Sequence, residues 1–260
     1  MFTGPDIYSI WDKKLVYSST NYRTKLSQEK YKGNRDKERN EAVYKHEELT
    51  TTLLSTLGVR NIYPGVLEGD DVIAWLCNKV DGPKVIVSAD QDMLQLIDED
   101  TIVYSPIKNI LIDKDNFQDI IGVPQDQFIR YKALMGDKSD NIPGLKKCGP
   151  KTAVKMIKQY PTDVQLRENC ERDDLDQYFC NLKLVDLNYG TKEHPEDLTM
   201  YEHQYAKLLK LQPDFTKFES ICRSYNINAI LNNLGEWKQV FDSEQLINTL
   251  ESIVNRLNLK

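Results

Sequence analysis

Apolar and polar positions follow two rhythms along this chain, and the change of rhythm falls near residue 121. Up to that point short β-type runs at 7–11, 59–63, 84–88, 101–105 and 110–112 alternate with helical patterns. Leu49, Leu53, Leu54 and Leu57 recur at helical spacing, with Gly58 as a C-terminal stop. Residues 68–71 open a second helix, whose Val72, Ile73, Leu76 and Val80 share a side. Run 84–88 is nearly all apolar, as in a buried parallel strand, and Asp90-Gln91-Asp92 leads from it into a short helix at 93–97. Helices are expected at 114–121 and 125–135. Beyond 121 no strand pattern appears, and 174–187, 201–211, 215–226 and 243–257 all read as helical. Leu246, Leu250, Ile253, Val254 and Leu257 give the last of these an apolar face suited to core packing.

Strands alternating with helices predict an α/β domain over 1–121, with a largely parallel, twisted sheet and flanking helices. A helical lobe over 122–260 follows. Residues 27–48 are almost wholly polar and interrupt the first domain.

Composition narrows the class. The 260 residues suffice for one large domain or a domain and a lobe, and 40% apolar with 28% charged content is ordinary for a globular protein. No apolar run approaches the roughly 18 residues of a membrane span. Five cysteines without a C-x-x-C pair exclude a disulfide framework or zinc site and predict a cytoplasmic setting.

The net charge of −6 argues against a nucleic-acid binder until its distribution is considered. Between residues 131 and 160 lie seven lysines (132, 138, 146, 147, 151, 155 and 158) and only two acids, Asp137 and Asp140. A lysine run is ordinarily a solvated helix face. Here its only acids are ones that a metal would neutralise.

Acids recur where strands end and helices begin: Asp12, then Glu68, Asp70 and Asp71, then Asp90 and Asp92, then Asp137 and Asp140. Taken singly, each group is an ordinary helix cap. Repetition at four junctions of one sheet is not explained by capping, because strand ends of a parallel sheet converge on one crevice. Clustered carboxylates repel one another unless a cation joins them. Hard oxygen donors suit Mg²⁺ or Mn²⁺, and two such ions together promote phosphodiester hydrolysis. Residues 113–117 resemble the start of a calcium loop but carry Phe117 where an oxygen ligand belongs, so that reading fails.

The acids run directly into Gly144-Leu-Lys-Lys-Cys-Gly149-Pro150-Lys151-Thr152, one residue longer than a nucleotide-binding P-loop and preceded by a helix rather than a strand. A P-loop NTPase is therefore disfavoured. Pro150 suits the first position of a helix after Gly149, whose free amides would face a phosphate. Lys146, Lys147, Lys151 and Lys155 would add sequence-independent affinity for a nucleic-acid backbone.

These residues resemble the 5′ nuclease, or flap endonuclease, family, most closely its tailed-phage members. Glu68-Gly-Asp70-Asp71, Asp90-Gln-Asp92 and Met135-Gly-Asp137-Lys-Ser-Asp140-Asn-Ile-Pro-Gly look like its three carboxylate motifs, in order. Residues 144–153 resemble its helix-three-turn-helix, placed here at about 125–160. Tyr31-Lys32-Gly-Asn-Arg35 is similar to the base of its helical arch (about 27–48), and Ile10-Trp11-Asp12 to a strand-end aspartate. Residues 181–187 resemble a helical stretch of phage members, without an assigned role.

The resemblance implies a PIN-like fold and a structure-specific, metal-dependent 5′–3′ exonuclease or flap endonuclease of DNA replication. Its partners would be DNA or RNA–DNA with a 5′ single-stranded end or flap, and its cellular task the removal of RNA primers. It assigns Lys32 and Arg35 to the scissile phosphate, and Tyr31 to base stacking. Gly144, Lys146, Lys147, Gly149, Lys151, Thr152 and Lys155 would grip the duplex. Two Mg²⁺ ions, replaceable by Mn²⁺, are expected on the acids: Glu68, Asp70 and Asp90 nearest, Asp92 and Asp137 close behind, and Asp12, Asp71 and Asp140 acting through water. Potassium is expected in the loop after Gly144.

The family also carries a strand ending in Asp ahead of the strand matched by residues 10–12. Asp6, after Pro5, is a poor substitute. On this reading the chain is expected to be a fragment, a mis-assigned start or a degenerate member. A complementing N-terminal polypeptide would then close an apolar gap in its sheet. A non-catalytic, junction-binding role is the alternative.

Overall fold

Local sequence sets most element boundaries. The computed structural model describes residues 7–11, 22–27, 31–32, 45–64, 67–193 and 195–241. The chain divides into two compact units: Met1–Lys14, Asp36–Pro64 and Leu198–Lys260 form one, and Leu15–Arg35 with Gly65–Asp197 the other.

In the first unit β1 (Tyr8–Ile10) pairs in parallel with β2 (Arg60–Ile62), Tyr8 opposite Arg60 and Ile10 opposite Ile62. Between them in sequence lies α2 (Glu47–Thr56). Leu57 and Val59 are buried against Phe218 and Cys222 of α11 (Phe215–Ser224), so the C-terminal helices cover this small sheet's neighbour rather than standing apart. Arg60 donates from Nε to the Leu208 carbonyl at 3.0 Å, near the end of α10 (Pro195–Leu208). Residues 243–257, expected as a helix, lie outside the described residues, as do most of the 27–48 stretch, Asp12 and Arg35.

In the second unit β3 (Lys84–Val87) and β4 (Thr101–Ser105) are parallel, and β5 (Ile110–Ile112) joins β4 antiparallel. The α/β class and mainly parallel pairing agree with the sequence; the antiparallel β5 does not follow from it, and comes from the short connection after Ser105. Around the sheet run α1 (Tyr22–Leu26), α3 (Gly69–Lys79), α4 (Phe117–Ile121) and α5 (Phe128–Met135), then α6 (Pro150–Gln159), α7 (Asp163–Asn169), α8 (Arg172–Val185) and α9 (Leu187–Glu193). The expected helix at 93–97 is a tighter 3₁₀ turn over Gln91–Leu96, because the Asp90 carboxylate accepts the Asp92 N–H at 2.9 Å and winds the chain early. No strand follows Ile112 among the described residues, as expected.

One expectation about β3 is overturned. Its composition reads as buried on both faces, yet Val85 is 39% and Val87 64% exposed, while Ile86 is buried. Alternation, not composition, decides which side of this strand is covered.

Two apolar cores flank the second unit's chemistry. Ile86, Met93, Val103, Phe117 and Phe128 pack beside the sheet; Leu134, Ile142, Leu145, Ala153, Tyr178 and Leu184 form the other, around α5, α6 and α8. Among the described residues no helix is long and apolar enough to cross a membrane.

Candidate active site

The first acidic motif begins as a helix start. Glu68 caps α3 in extended conformation, and its N–H donates to Asp71 Oδ2 at 3.0 Å. Capping alone would leave both carboxylates near water. Instead they are buried against Arg23 of α1, itself 1% exposed. Arg23 donates to Asp71 at 2.7 and 2.6 Å and to Glu68 Oε2 at 3.2 Å, and its Nε donates to the Leu184 carbonyl at 2.9 Å. Burial opposes the guanidinium charge, but Asp71 more than restores it, so Arg23 is held well above its ordinary value. Burial raises the Asp71 carboxyl to about 6 against the pull of Arg23, which leaves it largely ionised at neutral pH with both oxygens held by one guanidinium.

Glu68 Oε2 collects two further donors. The Tyr31 hydroxyl reaches it at 2.8 Å and Lys32 Nζ at 2.9 Å. Asp140 closes the group: its Oδ2 lies 3.1 Å from the Tyr31 hydroxyl and 4.0 Å from Lys32 Nζ. Lys32 sits at φ 52°, and its N–H donates to the Asp140 carbonyl at 2.8 Å. Left-handed backbone is costly for lysine, so this contact holds an unusual turn in place. Burial disfavours the Lys32 ammonium, but Glu68, Asp70 and Asp140 outweigh it and raise its pKa. Tyr31 is buried with its hydroxyl engaged, so stacking on a base would require the ring to leave this pocket.

A second group forms around Lys132. Its Nζ lies 2.7 Å from Asp92 Oδ1 and also contacts Asp137 Oδ2. Asp137 opens a tight hairpin, exchanging backbone bonds with Ile142 at 2.9 and 2.7 Å, and its Oδ1 accepts the Ser139 N–H at 2.8 Å. Burial pushes the Asp92 carboxyl up to about 6 despite Lys132. Asp137 moves the other way: burial works against its charge, but Lys132 and Ser139 outweigh it and hold the carboxyl below its ordinary value. Asp90 is exposed and caps the 3₁₀ turn, and Asp70 is half-buried.

The hairpin is clamped at its neck. A Cβ on Gly144 would stand 2.0 Å from the Met135 carbonyl oxygen, so only glycine lets these strands of backbone meet. Asn181, fully buried in α8, donates to the Ala133 and Pro143 carbonyls at 2.8 and 2.7 Å. Stretch 181–187, without a role in the sequence reading, thereby fixes the acidic loop.

Six of the eight predicted acids therefore fall into two described groups: Glu68, Asp70, Asp71 and Asp140 around Arg23 and Lys32, and Asp92 and Asp137 around Lys132. Asp90 stands next to the second, and Asp12 lies outside the described residues. Among the described residues no three carboxylates converge on one metal-sized spot. The donors are nonetheless all hard oxygens, and two pairs, Glu68/Asp140 and Asp92/Asp137, already close around a cationic nitrogen. That arrangement fits a divalent cation in chemistry and charge.

Beyond the loop, Lys146, Lys147, Lys151, Thr152 and Lys155 are exposed, while Ala153 and Ile157 hold α6 to the core. Pro150 occupies the first helical position, as predicted. Nothing lies within 4 Å of a Cβ built on Gly149, so its surroundings are open and no packing demands a glycine there.

Sequence reasoning missed Arg23, Asn181 and the burial of Lys132, counted there with the surface lysines. Lys132 carried one signal: it precedes Asp137 by five residues on a helix ending at Met135, close enough to reach back over its own C-terminus.

Two family models match in tandem: "5′–3′ exonuclease, N-terminal resolvase-like domain" over residues 3–122 and "5′–3′ exonuclease, C-terminal SAM fold" over residues 123–214. A 5′–3′ exonuclease of Halalkalibacterium halodurans is 38% identical over 197 residues, covering 74% of this chain and 60% of that protein. One from Aquifex aeolicus is 30% identical over 172 residues, covering 65% and 59%. The chain thus spans about three fifths of the length of these curated relatives. Its fold is similar to that of the T5 5′-exonuclease with bound divalent zinc, at TM-score 0.63 and 20% identity over 78% of this chain and 82% of that one.

Proposed function

Because the chain belongs to the 5′–3′ exonuclease family, we propose that it is a metal-dependent 5′ nuclease acting where a 5′ single-stranded end or flap leaves duplex DNA or RNA–DNA. One observation carries the reading: two carboxylate pairs, each closed on a lysine nitrogen, in the same compact unit as an open, lysine-studded helix start. Mg²⁺ or Mn²⁺ held at Glu68, Asp70, Asp90, Asp92, Asp137 and Asp140 would supply Lewis-acid activation and neutralise phosphate charge. Lys32, beside Glu68, is suited to meet the scissile phosphate. Gly149 and the amides of Lys151 and Thr152 are suited to a backbone phosphate of the duplex, with Lys146, Lys147 and Lys155 adding salt-sensitive attraction. Potassium at the loop after Gly144 and a cytoplasmic location, supported by the free cysteines, complete the reading. So does a division along the sequence into a nuclease core over 1–121 and a helical lobe over 122–260, which differs from the compact units in that residues 198–260 group with 1–14 and 36–64.

The test is cleavage of a 5′-flap duplex with and without Mg²⁺. Loss of cutting in Asp137→Asn/Asp140→Asn supports the carboxylate mechanism, and persistent cutting overturns it. Exposure of Val85 and Val87 favours a second reading, in which the chain grips junctions but cuts only with a complementing polypeptide along β3. Flap binding without cleavage by the chain alone would select it.

A further inference from the structure

Lys132 is out of place as a surface lysine. Its side chain is 4% exposed, and its nitrogen lies between Asp92 Oδ1 and Asp137 Oδ2, themselves largely covered. The other oxygen of Asp137 is already occupied, accepting the N–H groups of Ser139 and Asp140 and the Ser139 hydroxyl. The edge of Asp137 that faces Asp92 is thus the one held by Lys132, and a cation joining this pair must enter there. We propose that Lys132 is a resident counter-ion that occupies a divalent cation's place in the metal-free protein and is displaced when the cation binds. The inference rests on the metal-dependent reading above and concerns the step before any chemistry.

The geometry gives the exchange a direction. One ammonium leaves two carboxylates with a net charge of −1, whereas a divalent ion neutralises both. The lysine thereby keeps the empty site folded and sets a threshold that the metal has to overcome. Removing its charge leaves two buried carboxylates facing each other, which lowers metal-free stability and strengthens the pull on a divalent ion.

The experiment is Mn²⁺ binding to the full chain without DNA, followed by electron paramagnetic resonance, for the native protein, Lys132→Met and Lys132→Arg. Lys132→Met is expected to bind Mn²⁺ at least about tenfold more tightly. It should also melt lower without metal and gain more from it. Lys132→Arg, whose fork can hold both carboxylates, is expected to bind several-fold more weakly and keeps the test open if the methionine variant does not fold. Unchanged or weaker binding by a folded Lys132→Met, or unchanged binding by Lys132→Arg, overturns the exchange. If the native protein binds Mn²⁺ in those cases, the metal-dependent reading survives. Absence of Mn²⁺ binding in the native protein and both variants overturns both.

Discussion

Arg23 holds both oxygens of Asp71, at 2.7 and 2.6 Å, with neither side chain more than 1% exposed. Since the same guanidinium reaches Glu68 and the Leu184 carbonyl, one residue ties the start of α3 to α1 and the end of α8. Deleting a single partner of a buried pair strands the other charge, so Arg23→Met should cost about 3–5 kcal/mol. Arg23→Lys should recover only part of this, because an ammonium cannot match the fork. Urea denaturation measures it. A loss below about 1 kcal/mol would show that Asp71 finds water or a proton instead.

Tyr31 offers a sharper separation of roles. Its hydroxyl has one proton for two carboxylate oxygens, Glu68 Oε2 and Asp140 Oδ2. Tyr31→Phe keeps the buried ring but removes that bridge, at an expected cost of about 1 kcal/mol. Turnover on a flap should fall while flap affinity changes by less than about twofold, because phenylalanine preserves whatever stacking a tyrosine provides. Loss of affinity with unchanged turnover would assign the hydroxyl to DNA rather than to the carboxylates.

How much of this was legible beforehand follows from the kind of signal each part carries. The three acidic motifs, the Pro150 helix start and the alternation up to Ile112 leave periodic or positional traces, and they were found. Buried counter-charges leave little: Arg23 stands in a polar stretch like any surface arginine, and Lys132 in a lysine run, marked only by its five-residue spacing from Asp137. Their roles depend on which elements pack together, a long-range fact that local pattern does not encode. The β3 reading erred differently. Val85 and Val87 have the composition of a core, and what covers a strand face is decided by its neighbours, not by the strand.

The two glycines that bound the basic loop should respond oppositely to the same change. Gly144→Ala forces a methyl against the Met135 carbonyl and should destabilise by about 3 kcal/mol or more. Gly149→Ala enters open space at an ordinary φ of −92° and should stay within about 0.5 kcal/mol of the native protein. If Gly149 is where a duplex phosphate comes close, its alanine variant should nevertheless bind flap DNA several-fold more weakly. Equal DNA affinity would place the contact elsewhere.

Asp92 makes the empty protein's stability depend on pH in an unusual direction. Burial holds its carboxyl at about 6, above the ordinary aspartate value of 3.8, so the folded state takes up a proton more readily than the unfolded one. Stability therefore rises as pH falls through 6 towards 4, whereas an ordinary salt-bridged aspartate such as Asp137 loses stability only as pH falls below 3.8. Between pH 7.5 and 5 the Asp92 contribution should be a gain of about 1.4 kcal/mol without metal. Thermal melts of the metal-free protein across that range should show it, and Asp92→Asn should remove it. Saturating Mg²⁺ should also suppress it, since a divalent ion favours the ionised carboxylate and resists the proton. A melting temperature that falls steadily from pH 7.5 to 5, equally in the native protein and Asp92→Asn, would mean that Lys132 keeps Asp92 ionised.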